Sequence, residues 1–199
     1  PPTAGRHVVG PMVQLRWGTP TLLTLDLALL IELPSPVRVV VLGRLQVLLP
    51  DQSHPLIQIR MDALGVLDVS AETVSLDATL YDSKILQFTL TGDMALRAGW
   101  GRQPQFVLAI GGFHPRFAAP PGLPALQRLA LQLADGASLQ LRCQAYLAVT
   151  SNTVQFGARV DLHAAGGGFS FDGLLGFDAL IQLAPLAFEV DVGAALALR

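Results

Sequence analysis

Apolar and polar residues alternate along most of this chain. The pattern is clear in residues 86–96, where Leu86, Phe88 and Leu90 alternate with polar residues, and again in residues 169–177. A period of two places successive side chains on opposite faces of an extended strand, so each strand has one apolar and one polar face. A chain built from such strands must either close its apolar surface on itself or present that surface to a ligand.

The alternation predicts an all-β fold. Strands are predicted over residues 12–17, 22–33, 37–49, 56–69, 73–81, 84–96, 105–113, 129–133, 138–150, 153–163, 168–183 and 186–198, after an irregular lead-in at 1–10. Turn-forming residues separate them at 34–36, 50–53, 81–84, 135–136 and 151–152. Because short connections join antiparallel neighbours, we expect an antiparallel meander of long amphipathic strands that forms a curled sheet, a groove or a barrel-like roll.

One segment departs from the pattern. Residues 111–124 are rich in Gly and Pro and are predicted to form a loop outside the sheet. Residues 124–128 are predicted to form one helical turn with Pro124 at its start, and this is the only helical structure expected. We expect residues 1–199 to form a single β-domain with an internal break at 114–124, and to be a fragment of a longer protein.

Composition excludes some classes of function. Hydrophobic residues make up 51% of the chain, charged residues make up 14%, and the net charge is -2. No basic stripe is present, so nucleic acid is not an expected partner. The longest apolar stretch, 22–33, is interrupted by Thr24, Asp26 and Glu32, which makes it too short for a membrane-spanning helix.

No residue set in the sequence identifies a reaction. The four histidines, His7, His54, His114 and His163, lack the spacing of metal ligands. His163 follows Asp161 on the polar face of its strand, which predicts a solvated pair, and His114 is predicted to anchor the Gly/Pro-rich loop through a backbone hydrogen bond. No Gly-x-Ser-x-Gly motif occurs. We therefore predict a protein that is not an enzyme, with no catalytic residue, metal site or cofactor.

Two resemblances suggest a family context. Phe113-His114-Pro115, together with residues 145–157 and 173–180, resembles an uncharacterised family of very long β-rich bacterial proteins over residues 105–199. That family has no assigned activity. Residues 74–80 followed by 88–92 are similar to strands of AsmA/TamB-like and other bridge-like lipid-transfer proteins. This resemblance implies a curled sheet whose apolar groove carries acyl chains.

The expected function is a non-enzymatic binding module for lipid or another hydrophobic ligand. The residues predicted to line its apolar face are Phe88, Leu90, Met94, Phe169, Phe171, Phe177 and Phe188. An alternative is a structural segment of a long β-rod or assembly, which associates with itself or with neighbouring β-segments through open sheet edges. A transmembrane β-barrel would need aromatic girdles, and two Trp and two Tyr are too few for them. We expect a bacterial envelope or extracellular location rather than the cytoplasm.

Overall fold

The computed structural model describes residues 7–33, 38–102 and 104–199. These residues form fifteen β-strands and no helix, and therefore include no helix long and apolar enough to cross a membrane. The strands are β1 (His7–Val9), β2 (Met12–Trp17), β3 (Leu23–Leu33), β4 (Arg38–Leu49), β5 (Ile57–Asp68), β6 (Thr73–Leu80), β7 (Ser83–Ile85), β8 (Phe88–Thr91), β9 (Asp93–Gly99), β10 (Gln105–Ile110), β11 (Leu129–Asp135), β12 (Leu139–Thr150), β13 (Thr153–Gly166), β14 (Phe169–Gln182) and β15 (Ala187–Leu198).

The chain divides into two compact units. Unit 1 consists of Pro1–Leu86 and Ala95–Val107, and unit 2 consists of Gln87–Met94 and Leu108–Arg199. The Gly/Pro-rich segment 114–124 lies inside unit 2.

In unit 1, β3, β4, β5 and β6 pair in sequence order, each antiparallel to the next. The other side of β3 pairs with β2 along Leu23–Ala28 and with β1 along Ile31–Leu33. β7 pairs with the first residues of β5. The register aligns apolar residues across the strands, as in the row Leu25, Leu45, Met61, Leu80.

Unit 2 is a second antiparallel meander. β11, β12, β13, β14 and β15 pair in sequence order, and β8 pairs with the outer side of β11. The register from β12 to β15 is regular, whereas β11 carries a bulge between Gln132 and Ala134. These pairings confirm the predicted all-β fold of long antiparallel strands.

Two predicted elements are wrong, namely the single strand over 84–96 and part of the irregular lead-in at 1–10. The alternation of apolar and polar residues does not encode the backbone conformation and the strand pairing found there. The single strand predicted over 84–96 is divided among β7, β8 and β9, because Leu86 and Gly92 have φ values of 56° and 152°. A Cβ at Gly92 would lie 2.9 Å from Leu129 Cα, so only glycine fits this break. His7–Val9, inside the predicted irregular lead-in, forms β1.

The predicted helical turn at residues 124–128 is absent. The backbone N–H of Gln127 donates to Asp93 Oδ2 at 2.8 Å, and the N–H of Asp93 donates to the carbonyl of Gln127 at 3.2 Å. These bonds fix the backbone of Gln127 in the non-helical segment that precedes β11.

The predicted turns at 50–53, 135–136 and 151–152 are present, and each joins two strands that pair antiparallel. The reversal predicted at 81–84 is wrong, because β6 and β7 both pair antiparallel with β5 and therefore run in the same direction. In the turn at 50–53, Asp51 Oδ1 accepts hydrogen bonds from the N–H groups of Ser53 and His54, at 2.8 and 2.9 Å. These bonds lower the pKa of Asp51 below its ordinary value. The turn predicted at 34–36 lies outside the described residues.

Candidate functional site

The register of unit 2 gathers apolar side chains on one face of its sheet. We call this the apolar face: the odd-numbered residues of β12 and β14, the even-numbered residues of β13 and β15, and Leu90, Leu129 and Leu131. Every position in this set holds an apolar residue, the free Cys143 or a glycine. One row crosses all six strands and consists of Leu90, Leu131, Cys143, Val160, Leu175 and Ala194.

This apolar face is exposed. Phe188, Val192 and Leu196 on β15 have 81%, 75% and 77% of their surface accessible. Nearer the middle of the sheet, Phe156 and Phe177 make an edge-to-face contact at 6.2 Å and are each 39% exposed. A contiguous exposed apolar surface of this kind is typical of an interaction or ligand-binding site.

Six of the seven predicted ligand-binding residues share this face. Phe169, Phe171 and Phe177 lie on β14, Phe188 lies on β15, and Leu90 lies on β8 with Phe88 two residues before it. Met94 does not join them, because it lies in β9 beyond the break at Gly92, and the pairing of β8 with β11 ends at Thr91.

Sequence reasoning did not single out the residues that connect β8 to β14 across the face. Leu147, Phe156 and Val160 occupy this central region and are partly exposed. Alternation could have identified these residues, because the apolar/polar pattern in residues 138–150 and 153–163 is as regular as in the segments that contain the predicted ligand-binding residues.

The opposite, polar face of unit 2 is partly covered by the Gly/Pro-rich loop. The N–H of His114 donates to Gln155 Oε1 at 3.0 Å, and Gln155 Nε2 donates to Thr153 Oγ1 at 2.9 Å. Gln155 is fully buried, and Tyr146 and Thr153 are also buried. The expectation that polar faces are solvated is therefore wrong at these positions.

A stacked pair holds the end of the loop on this face. The Arg128 guanidinium lies 3.9 Å from the ring centroid of Tyr146 and donates to the carbonyls of Gly111 and Phe113. Burial lowers the pKa of Arg128. Burial also raises the pKa of Tyr146 well above its ordinary value, and the neighbouring Asp178 raises it further. The raised pKa keeps the Tyr146 phenol neutral at neutral pH.

His114 and two carboxylates form a second anchor. His114 is 2% exposed, its Nδ1 accepts a hydrogen bond from the N–H of Arg116 at 3.3 Å, and its Nε2 lies 3.9 Å from Asp191 Oδ2. The Arg116 guanidinium donates a hydrogen bond to Asp191 and forms an ion pair with Glu189. These bonds agree with the predicted anchoring role of His114.

The same cluster has the donor types of a cation site. His114, Glu189 and Asp191 bring potential ligand atoms within 4.8 Å of one another. However, Arg116 already supplies positive charge to both carboxylates. A metal-bound imidazole normally donates its second N–H to an acceptor, whereas Nδ1 of His114 faces a donor. The arrangement therefore fits a loop anchor better than a metal centre.

Replacing Gln155 by Leu should release the loop from the polar face. The buried His114 N–H would lose its acceptor, which we expect to lower the free energy of unfolding by about 1–3 kcal/mol. Urea denaturation measures this loss, and hydrogen exchange at the His114 amide should become faster. Gln140→Leu, at an exposed position on the same face, is the matched control and should change stability by less than about 0.5 kcal/mol. Equal effects of the two substitutions would contradict the anchoring role.

His163 pairs differently from the prediction. Its Nδ1 lies 2.6 Å from Asp172 Oδ1 on the neighbouring strand, while Asp161 accepts a hydrogen bond from Arg159 at 2.7 Å. The register explains the difference, because His163 lies directly opposite Asp172. The pKa of Asp172 is lowered below its ordinary value, mainly by the hydrogen bond from His163.

His163→Ala should therefore return the pKa of Asp172 toward its ordinary value. A carboxylate with a lowered folded-state pKa contributes stability above its unfolded pKa of about 3.9, and this contribution is lost as pH falls through the folded value. The stability difference between wild type and variant should thus shrink in acid. Carbon-13 NMR titration of the Asp172 carboxyl measures the shift, and an unchanged titration curve would contradict the assignment.

Unit 1 has a separate trough of about 970 Å³. A row of Met12, Ala28, Leu42 and Leu64 crosses it, in register from β2 to β5. Beside this row lies a polar one, in which Gln14 donates to Asp26 at 2.6 Å and Arg44 donates to Asp62 at 2.8 Å. Sequence reasoning missed the trough, although consecutive apolar residues at 39–42 indicate apolar side chains on both faces of β4.

The comparisons with known proteins show a family without an assigned activity. The family model described as "Family of unknown function (DUF6603)" matches residues 1–199, which extends beyond the 105–199 of the predicted family resemblance. No curated protein and no solved structure matches the chain. The chain belongs to DUF6603, a family of unknown function.

Proposed function

We propose that the apolar face of unit 2 binds lipid acyl chains or a similarly extended hydrophobic ligand, and that the protein carries such a ligand without catalysing a reaction. One observation carries the proposal. The apolar face is exposed, while the loop that could have covered it lies on the opposite, polar face.

The chemistry of the face selects the ligand class. Apart from the thiol of Cys143, its side chains offer no hydrogen-bonding or titratable group. Burying one such side chain fully contributes about 1.5–3 kcal/mol. A ligand that covers several of them must be apolar along its length, because any polar group placed there would lose its hydration without gaining a partner. Acyl chains meet this requirement.

The position of the polar groups supports binding rather than catalysis. Tyr146, Gln155 and Asp178 belong to the polar face, so the sheet lies between them and a ligand on the apolar face. The similarity of residues 74–80 and 88–92 to strands of AsmA/TamB-like proteins also favours lipid as the ligand.

Native mass spectrometry of gently purified protein tests the proposal. We expect adducts of lipid mass that organic extraction removes and identifies. Protein stripped of adducts should load again when mixed with vesicles of phosphatidylethanolamine and phosphatidylglycerol. A clean apo mass that persists after incubation with the vesicles would overturn the proposal.

A further inference from the structure

We propose that the trough of unit 1 binds an amphiphile in which a long alkyl chain carries a cationic amine directly at its end. The alkyl chain lies along the row Met12, Ala28, Leu42 and Leu64, and the ammonium group pairs with Asp26. The inference does not rest on the ligand proposed for unit 2, because all of these residues belong to unit 1.

The floor of the trough carries apolar side chains that the fold of unit 1 does not require. The odd-numbered residues of β3, β4 and β5 already form one face that is entirely apolar or glycine. A sheet with one such face needs no apolar residue on its other face. Yet Leu42 and Leu64 lie opposite each other on the even-numbered face, and each is 45% exposed. Exposed apolar side chains that line a concave surface are typical of a ligand site.

The dimensions of the trough suit one alkyl chain. Its volume of about 970 Å³ lies in the range of small-molecule sites. The apolar row crosses from β2 to β5, which is three inter-strand spacings or about 14 Å. At the β6 end, Asp77 lies opposite Leu64 and accepts hydrogen bonds from both terminal nitrogens of Arg97, at 2.8 and 2.9 Å. The apolar row therefore ends at a carboxylate whose charge is already compensated.

The polar row beside the alkyl site has an excess of negative charge. Asp26, Arg44 and Asp62 lie opposite one another in the register, so two carboxylates share one guanidinium. Arg44 directs both Nε and one terminal nitrogen to Asp62, at 2.8 and 3.2 Å. Asp26 instead accepts a hydrogen bond of 2.6 Å from the neutral amide of Gln14. An ammonium group at Asp26 balances this row, whereas an anionic head group there meets like charge.

The order of the charges selects a simple amine rather than a phospholipid. Asp26 and Asp62 lie in the row next to the apolar row, whereas Arg16 and Arg60 lie one row farther away. A cationic group joined directly to an alkyl chain therefore meets the carboxylates first. A phospholipid has its phosphate next to its acyl chains, and this geometry would place the phosphate beside the two aspartates.

Methionine methyl NMR tests the site. The chain has three methionines in three different places: Met12 lines the trough, Met61 lies on the opposite face of the same sheet, and Met94 belongs to unit 2. In protein with carbon-13 methionine methyl groups, dodecylammonium below its micelle concentration should shift the Met12 signal saturably and leave Met61 unchanged. Dodecanoate, which has twelve carbons and the opposite charge, should bind at least about fivefold more weakly.

Two substitutions on β3 test the role of charge. Asp26→Asn keeps an acceptor for Gln14 but removes the charge, and it should weaken dodecylammonium binding about three- to fivefold. Glu32→Gln is the matched control, because it removes the same charge from the same face of the same strand outside the trough, and it should leave binding unchanged. An unchanged Met61 signal verifies that each variant is folded.

Leu64→Asn tests the alkyl site, because it places an amide beneath the chain and should weaken both probes about equally. A Met12 signal that does not saturate, equal affinities of dodecylammonium and dodecanoate, or equal effects of Asp26→Asn and Glu32→Gln would overturn the proposal.

Discussion

Replacing Phe177 by Asp should abolish lipid loading while unit 2 remains folded. Phe177 lies between Ala158 and Val192 in the middle of the apolar face and is 39% exposed. In the ligand-free protein a carboxylate at this position remains hydrated. Under an acyl chain it would lose its water without gaining a partner, which is far costlier than losing the phenyl contact alone. We expect the bound fraction in native mass spectra to fall more than about tenfold, since each tenfold corresponds to 1.4 kcal/mol.

A pair of neighbouring leucines provides the control. Leu175→Asn places an amide on the apolar face, whereas Leu174→Asn places the same amide on the polar face of the same strand. The first substitution should weaken loading, and the second should leave it unchanged. Full loading of Phe177→Asp, or equal effects of the two asparagines, would contradict ligand binding on this face. Unfolding of Phe177→Asp would instead favour the structural role, in which the face packs against protein.

The alternation was sufficient to predict most strands because it is a local property. In β12 to β15, each side chain's face follows from its parity, and the short turns place each strand beside the next. The grouping of Phe169, Phe171, Phe177 and Phe188 on one face follows from the same two facts. No long-range information was needed for this part of the site.

Two other features depend on contacts that alternation does not encode. The positive φ of Leu86 and of Gly92 breaks a pattern that reads as one strand, and this separates Met94 from Leu90. The odd or even position of a residue in a strand also assigns its side chain to one of two faces, but it does not show which face another part of the chain covers. Gln155 has the pattern of a solvated residue, yet it is buried because the loop that contains His114 returns to it from 41 residues away.

The glycine beneath Tyr146 should be among the least replaceable residues of unit 2. A Cβ at Gly157 would lie 2.5 Å from Tyr146 Cε1, 2.7 Å from the carbonyl oxygen of Phe177 and 2.8 Å from Asp178 Oδ1. The ring cannot easily yield, because Arg128 packs on it. The carbonyl belongs to the neighbouring strand β14. Overpacking of this kind typically costs 1–3 kcal/mol, and we expect Gly157→Ala to lower the free energy of unfolding by about 3 kcal/mol.

Gly193→Ala is the matched control for Gly157→Ala, because an added methyl group there meets no atom within 4 Å. Its effect on stability should stay within about 0.5 kcal/mol. Guanidinium denaturation of the two variants measures the difference. The added methyl group at residue 157 lies on the polar face, so the folded fraction of Gly157→Ala should still load lipid. Equal stability of the two variants would mean that Tyr146 does not pack against Gly157, and loss of loading in folded Gly157→Ala would mean that the two faces do not act independently.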